Sequence, residues 1–344
     1  MKKNWMLCVI VLLSLGSAAW SQDTNTVSPD AADKAAARQT TNLFREAQPT
    51  KTKLGMPSRG GEAVLTQRPS SGGKKSGNSF GRNDVRYPGD LSFQGGAVVD
   101  SAQSHAIYLL PNGKCPISQC WGNPEGFLRD VSDSQFIHLV DQYVGLRASE
   151  RYTLGSRAKV NYAPPTVPLT DTDVLSVVHA VASAAGGSGY GHIFHVFLPP
   201  GQDECFDSTF AVCYSPDNFD TFFFCAYHGS ADFTDIGHVL YSVEPYQNVP
   251  GCQVRPGTPN GQLADSTNDV LSHELIETIT DPDGDAWWNS TGLSLYGQEI
   301  GDECIFLLFT SSNVYSDPFI FKIDDDLYAI QPEYSNAAHG CAVR

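Results

Sequence analysis

The feature that most constrains this chain is a set of eight cysteines that follow an export signal. Lys2 and Lys3 precede an apolar run from Trp5 to Leu15 that is too short to span a bilayer. Ala19-Trp20-Ser21 then offers small residues where a signal peptidase reads. We expect residues 1–21 to be removed, which leaves an even number of cysteines. In an exported chain, this count predicts a secreted, extracellular domain stabilised by disulfides.

The pairing of these cysteines does not follow from their spacing, and we predict that each bonds to its neighbour along the chain. The alternative, a zinc–thiolate cluster, is disfavoured because the sequence has no Cys-x-x-Cys pair. The predicted pairs are Cys115 with Cys120, Cys205 with Cys213, Cys225 with Cys252, and Cys304 with Cys341.

A change in composition divides the mature chain in two. Residues 22–83 hold ten Lys/Arg and five Asp/Glu and are rich in Gly, Ser, Thr, Pro and Ala. Such a stretch buries too little apolar surface to offset its ordering entropy, so we predict a disordered polar leader with a short helix near residues 30–46. Residues 84–344 carry the aromatic residues and cysteines expected of one large domain.

The charge of that domain excludes some partners. Residues 84–344 hold ten Lys/Arg against 33 Asp/Glu, a net charge of −23. Such a surface repels phosphate backbones, so nucleic acid is excluded as a partner, whereas divalent cations are attracted. The acidity also serves solubility outside the cell. No second apolar stretch of spanning length occurs, so we expect no membrane span.

Hydrophobic periodicity predicts a mixture of helices and strands without a regular βαβ alternation. We therefore predict an α+β fold, a single large zincin-like domain with a mixed sheet and an active-site-type helix, stabilised by disulfides. Ser266 or Asn268 is the predicted cap of that helix and Pro282 its stop. Predicted helices cover 134–144, 173–185 and 266–280, and predicted strands cover 106–110, 193–198, 221–227, 238–243, 305–309 and 319–323.

The predicted helix at 266–280 carries the strongest candidate for chemistry. His273 and Glu277 are spaced i and i+4, so an imidazole and a carboxylate share one helix face and can grip one cation. In the zinc-peptidase motif His-Glu-x-x-His, the two histidines bind zinc and the glutamate acts as a general base. Here Glu277 replaces the second histidine, which keeps a permissible zinc ligand, and Glu274 is the candidate base. Many amphipathic helices carry such a string with no metal, so the motif alone is weakly specific.

A third ligand must come from another part of the chain, and Glu299 and Asp302 are the candidates. Cys304, if disulfide-bonded, would hold their loop near the helix. Zinc is the first choice of cation and calcium the second, because an acidic ligand set makes calcium more competitive. A calcium loop of the EF-hand type at 281–292 is excluded, since Gly292 stands where the bidentate glutamate is needed. We predict His228, Trp287 and Trp288 as residues lining the cleft.

Several motifs together resemble the Exordium / phosphate-induced protein family. The similarity spans roughly residue 87 to the C-terminus and is sharpest between Ser272 and Cys304. It implies a secreted or cell-wall protein whose biochemical activity is not settled, with this chain as a bacterial relative. The motifs are Ser272-His273-Glu274-Leu275-Ile276-Glu277, Thr280-Asp281-Pro282, Ala286-Trp287-Trp288, Glu299-Ile300-Gly301-Asp302-Glu303-Cys304 and Cys225-Ala226-Tyr227-His228-Gly229.

Two functions are compatible with these patterns. The first is a secreted metal-dependent hydrolase, metallopeptidase-like, with a peptide or cell-wall substrate. The second is a non-catalytic extracellular or cell-wall-associated protein, with a structural cation or no metal. An open coordination position in a cleft indicates the first, and a closed, buried site indicates the second.

Overall fold

The structure is a computed structural model that describes residues 49–54, 90–132, 134–145, 150–290, 296–305 and 318–344. The predicted signal peptide and the predicted helix near residues 30–46 lie outside the described residues, as does most of the predicted leader. The same holds for residues 306–309 of the predicted strand at 305–309.

The described chain alternates strands with helices, of which two are long. The strands are β1 (Lys51–Leu54), β2 (Ser92–Phe93), β3 (Ala102–Pro111), β4 (Tyr152–Tyr162), β5 (Leu169–Thr170), β6 (His192–Phe197), β7 (Glu204–Cys205), β8 (Cys213–Tyr214), β9 (Tyr227–Phe233), β10 (Gly237–Glu244), β11 (Trp287–Trp288), β12 (Phe319–Ile323), β13 (Asp326–Ile330), β14 (Glu333–Ser335) and β15 (Gly340–Ala342). The helices are α1 (Ile117–Cys120), α2 (Pro124–Val131), α3 (Asp141–Val144), α4 (Asp171–Ala185), α5 (Gln262–Thr280) and α6 (Asp302–Ile305), with a 3₁₀ turn at Ile137–Val140.

Six strands form the central sheet, in the order β1-β9-β10-β6-β3-β4. The pairs β4–β3, β3–β6 and β6–β10 are parallel, whereas β9 runs antiparallel to both β10 and β1. The predicted mixed sheet is therefore confirmed. Helix α4 connects β4 to β6, which lie on either side of β3 and run parallel to it, and strands that run in the same direction need such a crossover connection.

The sheet is covered on both faces, which follows from the period of two in its strands. Phe194 and Val196 of β6 join the hydrophobic cluster that contains Val174 of α4. Ile193 and Phe197 point the other way, into the cluster that contains Leu271 of α5. Successive strand residues face opposite sides of a sheet, so a strand buried on both faces is mostly apolar, and His195 is the buried polar exception in β6.

Helices formed largely where periodicity predicted them, with differences at their ends. Helix α4 begins two residues before the predicted start, where Thr170 and Asp173 form a capping box. Helix α5 begins at Gln262, four residues before the predicted start. The capping role predicted for Ser266 or Asn268 is wrong, because both residues lie inside the helix, which Gly261 precedes. The Ser266 hydroxyl instead accepts from the Val254 amide and donates to the Gln262 carbonyl. The predicted helix at 134–144 is broken into the 3₁₀ turn and α3.

Two predicted strands differ from the structure in their described residues. Of the predicted strand at 221–227, only Tyr227 lies in a strand, because β9 begins there and continues to Phe233. The residues before it make only an isolated parallel bridge, between Phe222 and Cys213 of β8. They are also held by the disulfide of Cys225 and by burial of Phe224. In the predicted strand at 305–309, Ile305 is the last residue of helix α6.

Part of the predicted disordered leader is ordered. Lys51–Leu54 forms strand β1, which pairs antiparallel with β9 so that Leu54 lies opposite Gly229. Lys53 also makes an ion pair with Asp285, with Nζ 2.8 Å from Oδ2. The local sequence has no strand pattern here. The strand forms because the edge of β9 supplies its hydrogen-bonding partner. A Cβ at Gly229 would lie 2.5 Å from the Lys53 carbonyl oxygen, so glycine permits this close approach.

The four predicted cysteine pairs are confirmed as disulfides: Cys115–Cys120, Cys205–Cys213, Cys225–Cys252 and Cys304–Cys341. The last of these joins helix α6 to strand β15, which holds the loop before α6 against the body of the domain. Within the described residues, no helix combines the length and the apolar character needed to cross a bilayer.

Loop length predicts unequal contributions of these disulfides to stability. Replacing both Cys225 and Cys252, 27 residues apart, with Ala should lower the free energy of unfolding by about 3–4 kcal/mol. Replacing Cys115 and Cys120, 5 residues apart, should cost about 2 kcal/mol, because a shorter loop constrains the unfolded chain less. Denaturant titration measures both values, and equal losses would contradict the loop-length account.

Candidate metal centre

Helix α5 places three candidate residues in the interior of the protein. His273, Glu274 and Glu277 are all nearly fully buried, in the middle of a 19-residue helix that packs against β9 and β10. The helix period brings His273 and Glu277 onto one face, as predicted. Ionisable groups at such depth need a charge partner, a proton or a metal.

The Glu277 carboxylate lies between two histidines. Its Oε1 atom is 3.1 Å from Nε2 of His273, and its Oε2 atom is 3.8 Å from Nε2 of His228. Oε2 is buried without a hydrogen bond, and so are both ring nitrogens of His273. The 3.1 Å approach of Glu277 Oε1 to His273 Nε2 is thus an ionic contact without hydrogen-bond geometry.

The loop before α6 brings both predicted downstream acids to this carboxylate, one on each side. Oε2 of Glu299 is 3.0 Å from Nε2 of His228, and Oδ1 of Asp302 is 3.9 Å from Nε2 of His273. The backbone amides of Gly301 and Asp302 both donate to Glu277 Oε1 at 3.2 Å. The loop is thereby fixed to helix α5 by its own backbone.

His228 occupies a more central position than the predicted role of lining a cleft. It is the second residue of β9, is fully buried, and contacts both Glu277 and Glu299. The central position of His228 was not predicted, because the predicted strand at 221–227 ends before this residue. The alternation of apolar residues from Tyr227 to Phe233 is the signal that would have placed His228 on the polar face.

The electrostatic states of the two histidines differ. Burial lowers the pKa of His228 to about 4, although the Glu277 carboxylate opposes this shift. The ring is therefore neutral at pH 7, which is the form that binds metals. Burial also lowers the pKa of His273, but the carboxylates of Glu277, Glu274 and Asp302 outweigh it and leave that pKa well above 6.5. The cluster thus attracts positive charge.

Further buried polar groups surround this cluster and were not predicted. Ser242 of β10 donates to Glu244 Oε1 at 2.7 Å, and Nδ1 of His195 lies 2.8 Å from the same hydroxyl. Burial raises the pKa of Glu244 to about 8, so this carboxyl holds a proton at neutral pH. Glu333 is also fully buried, and burial raises its pKa well above 4.5. A raised pKa favours the neutral form of Glu244 and Glu333, so these two carboxyls add little negative charge to an interior that already holds several carboxylates.

Trp287 and Trp288, which were predicted to line a cleft, pack against tyrosine rings. Trp287 packs edge-on against Tyr143, with ring centroids 5.2 Å apart, and its indole N–H donates to the Tyr143 carbonyl. Trp288 packs against Tyr296, with ring centroids 5.1 Å apart. Their predicted role in lining a cleft stays a prediction.

A cavity of about 180 Å³ opens beside the strand that carries His228. Its lining includes Ser230 and His238 of the sheet, Lys53 of β1, and Asp283, which follows helix α5. Asp283 accepts from Ser230 at 2.5 Å and from Tyr190 at 2.6 Å. The cavity is therefore polar and lies at the end of the sheet where β1 meets β9.

Among the described residues, two groups of ligand atoms are close enough to hold a metal ion. One consists of His228, Glu277 and Glu299, and the other of His273, Glu274 and Glu277. Within each group, all of the ligand atoms lie within 4.8 Å of one another. Both groups combine an imidazole with carboxylates, which suits zinc, whereas calcium takes oxygen ligands.

No family model, curated protein or solved structure matches this chain. The resemblance to the Exordium / phosphate-induced protein family therefore stays a prediction based on the motifs.

Gly301 offers a test of how closely this centre is packed. A Cβ there would lie 2.5 Å from Nδ1 of His273, so Gly301→Ala must displace the imidazole or the loop. We expect a loss of about 1–3 kcal/mol in the free energy of unfolding, together with weaker zinc binding. Thermal unfolding and zinc titration measure the two effects.

Gly340→Ala is the matched control, because a Cβ at Gly340 has no atom within 4 Å. It should leave both zinc affinity and thermal stability unchanged. If the two variants behave alike, the contact between Gly301 and His273 does not shape the centre.

Proposed function

We propose that this chain is a secreted metal-dependent hydrolase of metallopeptidase-like type. The observation that carries the proposal is the Glu277 carboxylate, which is fully buried and whose described ionic partners are two histidines, with no Lys or Arg among them. Of these two partners, His228 is neutral at pH 7 and only His273 holds a pKa above its ordinary value. A divalent cation would compensate the charge gathered here more fully than one imidazolium.

The proposed ligands are His273 and Glu277 of helix α5 together with an acid of the 299–302 loop. Zinc is preferred over calcium because the ligand set includes imidazole nitrogen. The orphaned Oε2 of Glu277 and the orphaned ring nitrogens of His273 fit such an ion. When bound, the cation would supply Lewis acidity that polarises a substrate carbonyl and promotes ionisation of water.

Glu274 is the proposed general base. It neighbours His273 on the helix, and its carboxylate belongs to the same group of ligand atoms as His273 and Glu277. From this position it can accept a proton from the attacking water and return it to the leaving group. The resemblance of Ser272–Glu277 to a zinc-peptidase helix with one altered ligand supports this role. The cavity beside β9 is the proposed approach for a peptide or cell-wall substrate.

Burial favours a second candidate, a structural cation in a non-catalytic extracellular protein. His228, Glu277 and Glu274 are 0% exposed, and closed sites are typical of structural metals. In the hydrolase, by contrast, a substrate must reach the ion, so part of the surrounding chain has to open. Activity and stability measurements separate these two candidates.

The hydrolase proposal predicts the effect of Glu274→Gln. This change removes the proton acceptor while conserving shape, so turnover should fall by about 10²–10⁴-fold with zinc content unchanged. Hydrolysis of a fluorescent casein substrate and elemental analysis measure the two quantities. Asp325→Asn, at an exposed carboxylate, is the matched control and should alter neither. Full activity in Glu274→Gln would exclude Glu274 as the base.

The structural-cation candidate predicts a different pattern. Removing the metal with EDTA should lower the melting temperature by on the order of 10 °C, because a tightly bound ion stabilises only the folded state. The metal-loaded wild-type protein should have no hydrolytic activity. Differential scanning calorimetry and the casein assay test this, and an unchanged melting temperature would exclude a structural role.

A further inference from the structure

The two oxygens of the Glu277 carboxylate are placed so that a single ion would bind only one of them. Its two oxygens face different histidines: Oε1 lies 3.1 Å from His273 Nε2 and Oε2 lies 3.8 Å from His228 Nε2. A glutamate that serves one ion through one oxygen leaves the other oxygen to a hydrogen-bond donor. Here Oε2 is buried and has no such donor.

One ion cannot bind both histidines as they stand. Two ligands on opposite sides of a zinc ion are at most about 4.4 Å apart, since each bond is about 2.0–2.2 Å long. Among the described residues, no group of ligand atoms within 4.8 Å of one another contains both His228 and His273. Each histidine instead forms its own group, and Glu277 is the member common to both.

Each side of Glu277 also has its own acid from the 299–302 loop. Glu299 lies beside His228, with Oε2 3.0 Å from Nε2, and Asp302 lies beside His273, with Oδ1 3.9 Å from Nε2. Two ligands of one tetrahedral zinc ion are separated by about 3.3–3.6 Å. Glu299 already forms one group of ligand atoms with His228 and Glu277, whereas the group on the other side is His273, Glu274 and Glu277, so the Asp302 carboxylate must shift to join it. The two acids are therefore not alternatives, since the chain brings one to each histidine.

We propose that the centre holds two divalent transition-metal ions bridged by Glu277. His228 and Glu299 bind one ion with Glu277 Oε2, and His273 and Asp302 bind the other with Glu277 Oε1. This inference rests on the proposed function, because it requires the cluster to bind metal at all. It extends that function by assigning His228 and Glu299 to a second site.

The electrostatics of the centre support two ions. Glu274, Glu277, Glu299 and Asp302 are almost completely buried within one cluster. A second divalent cation further reduces the formal negative charge gathered around Glu277, in an interior where charge is poorly screened. Two ions about 3.5–4 Å apart, joined by a carboxylate, form the arrangement with which many hydrolases hold the attacking and leaving oxygens together.

Metal stoichiometry of the full-length chain tests the proposal. The protein is stripped with a chelator, titrated with Zn²⁺ alone, dialysed and analysed for zinc and protein. We expect two zinc ions per chain. One zinc per chain would overturn the two-ion centre and leave the proposed function standing, whereas no bound zinc would overturn both.

Variants identify the two sites. Glu299→Gln should reduce the stoichiometry to one by weakening the His228 side, and Asp302→Asn should do the same on the His273 side. Glu277→Gln should lower the affinity of both sites by about 10- to 100-fold or more. Glu303→Gln is the matched control: this buried acid of helix α6 directly follows Asp302, accepts a hydrogen bond from Asn289, and should retain two ions. Retention of two ions by Glu299→Gln and Asp302→Asn would overturn the assignment.

A measurement on the unmodified protein guards against variants that fail to fold. Loaded with Mn²⁺, two bridged ions give a spin-coupled electron paramagnetic resonance spectrum, whereas isolated ions give six separate lines. A coupled spectrum at two equivalents of Mn²⁺ supports the proposal. A spectrum of isolated ions at saturation overturns it.

Discussion

The buried carboxylate of Glu277 is the constraint on which the rest of this structure depends. It joins three parts of the chain that are far apart in sequence: helix α5, which carries it; strand β9, which presents His228; and the 299–302 loop, whose amides donate to it. A charge at such depth is costly unless its surroundings compensate for it. The surrounding elements therefore have to meet at one point, and the Cys304–Cys341 disulfide secures the loop that closes it.

The sheet explains why this point lies where it does. Alternation along β9 and β10 sends Ala231, Tyr241 and Val243 to the apolar layer around α4, and sends His228 and Ser242 to the face beneath α5. Both sides of the sheet also bury polar groups. On the α4 side, Tyr227 and Tyr241 donate to Asp171, and on the α5 side His228 and Ser242 are fully buried. Buried titratable groups of this kind occur both in functional sites and in structural networks, and the group around Glu277 differs from that at Asp171 in bringing imidazoles and carboxylates within ligand distance.

The sequence was sufficient for features that depend on short-range spacing. The helical relation of His273 to Glu277 follows from a period of 3.6, and neighbouring cysteines paired as expected. Features set by long-range pairing escaped prediction. The start of β9, and with it the central position of His228, depends on pairing with β10 and on a disulfide to Cys252. The sequence shows the spacing of Glu299 and Asp302 but not the path of the chain between them. It therefore could not predict that each acid lies beside a different histidine.

Strand β1 has a consequence for how this protein can be shortened or processed. Residues 51–54 are separated from the next described segment by 35 residues, yet they form the outermost strand of the central sheet. Cutting the chain between these two parts would leave the strand attached by hydrogen bonds and by the contact of Lys53 with Asp285. A chain trimmed to its acidic portion would lose that strand and expose the backbone of residues 229–232. An exposed edge strand of this kind can pair with a strand of another chain. Removal of the leader would therefore promote self-association.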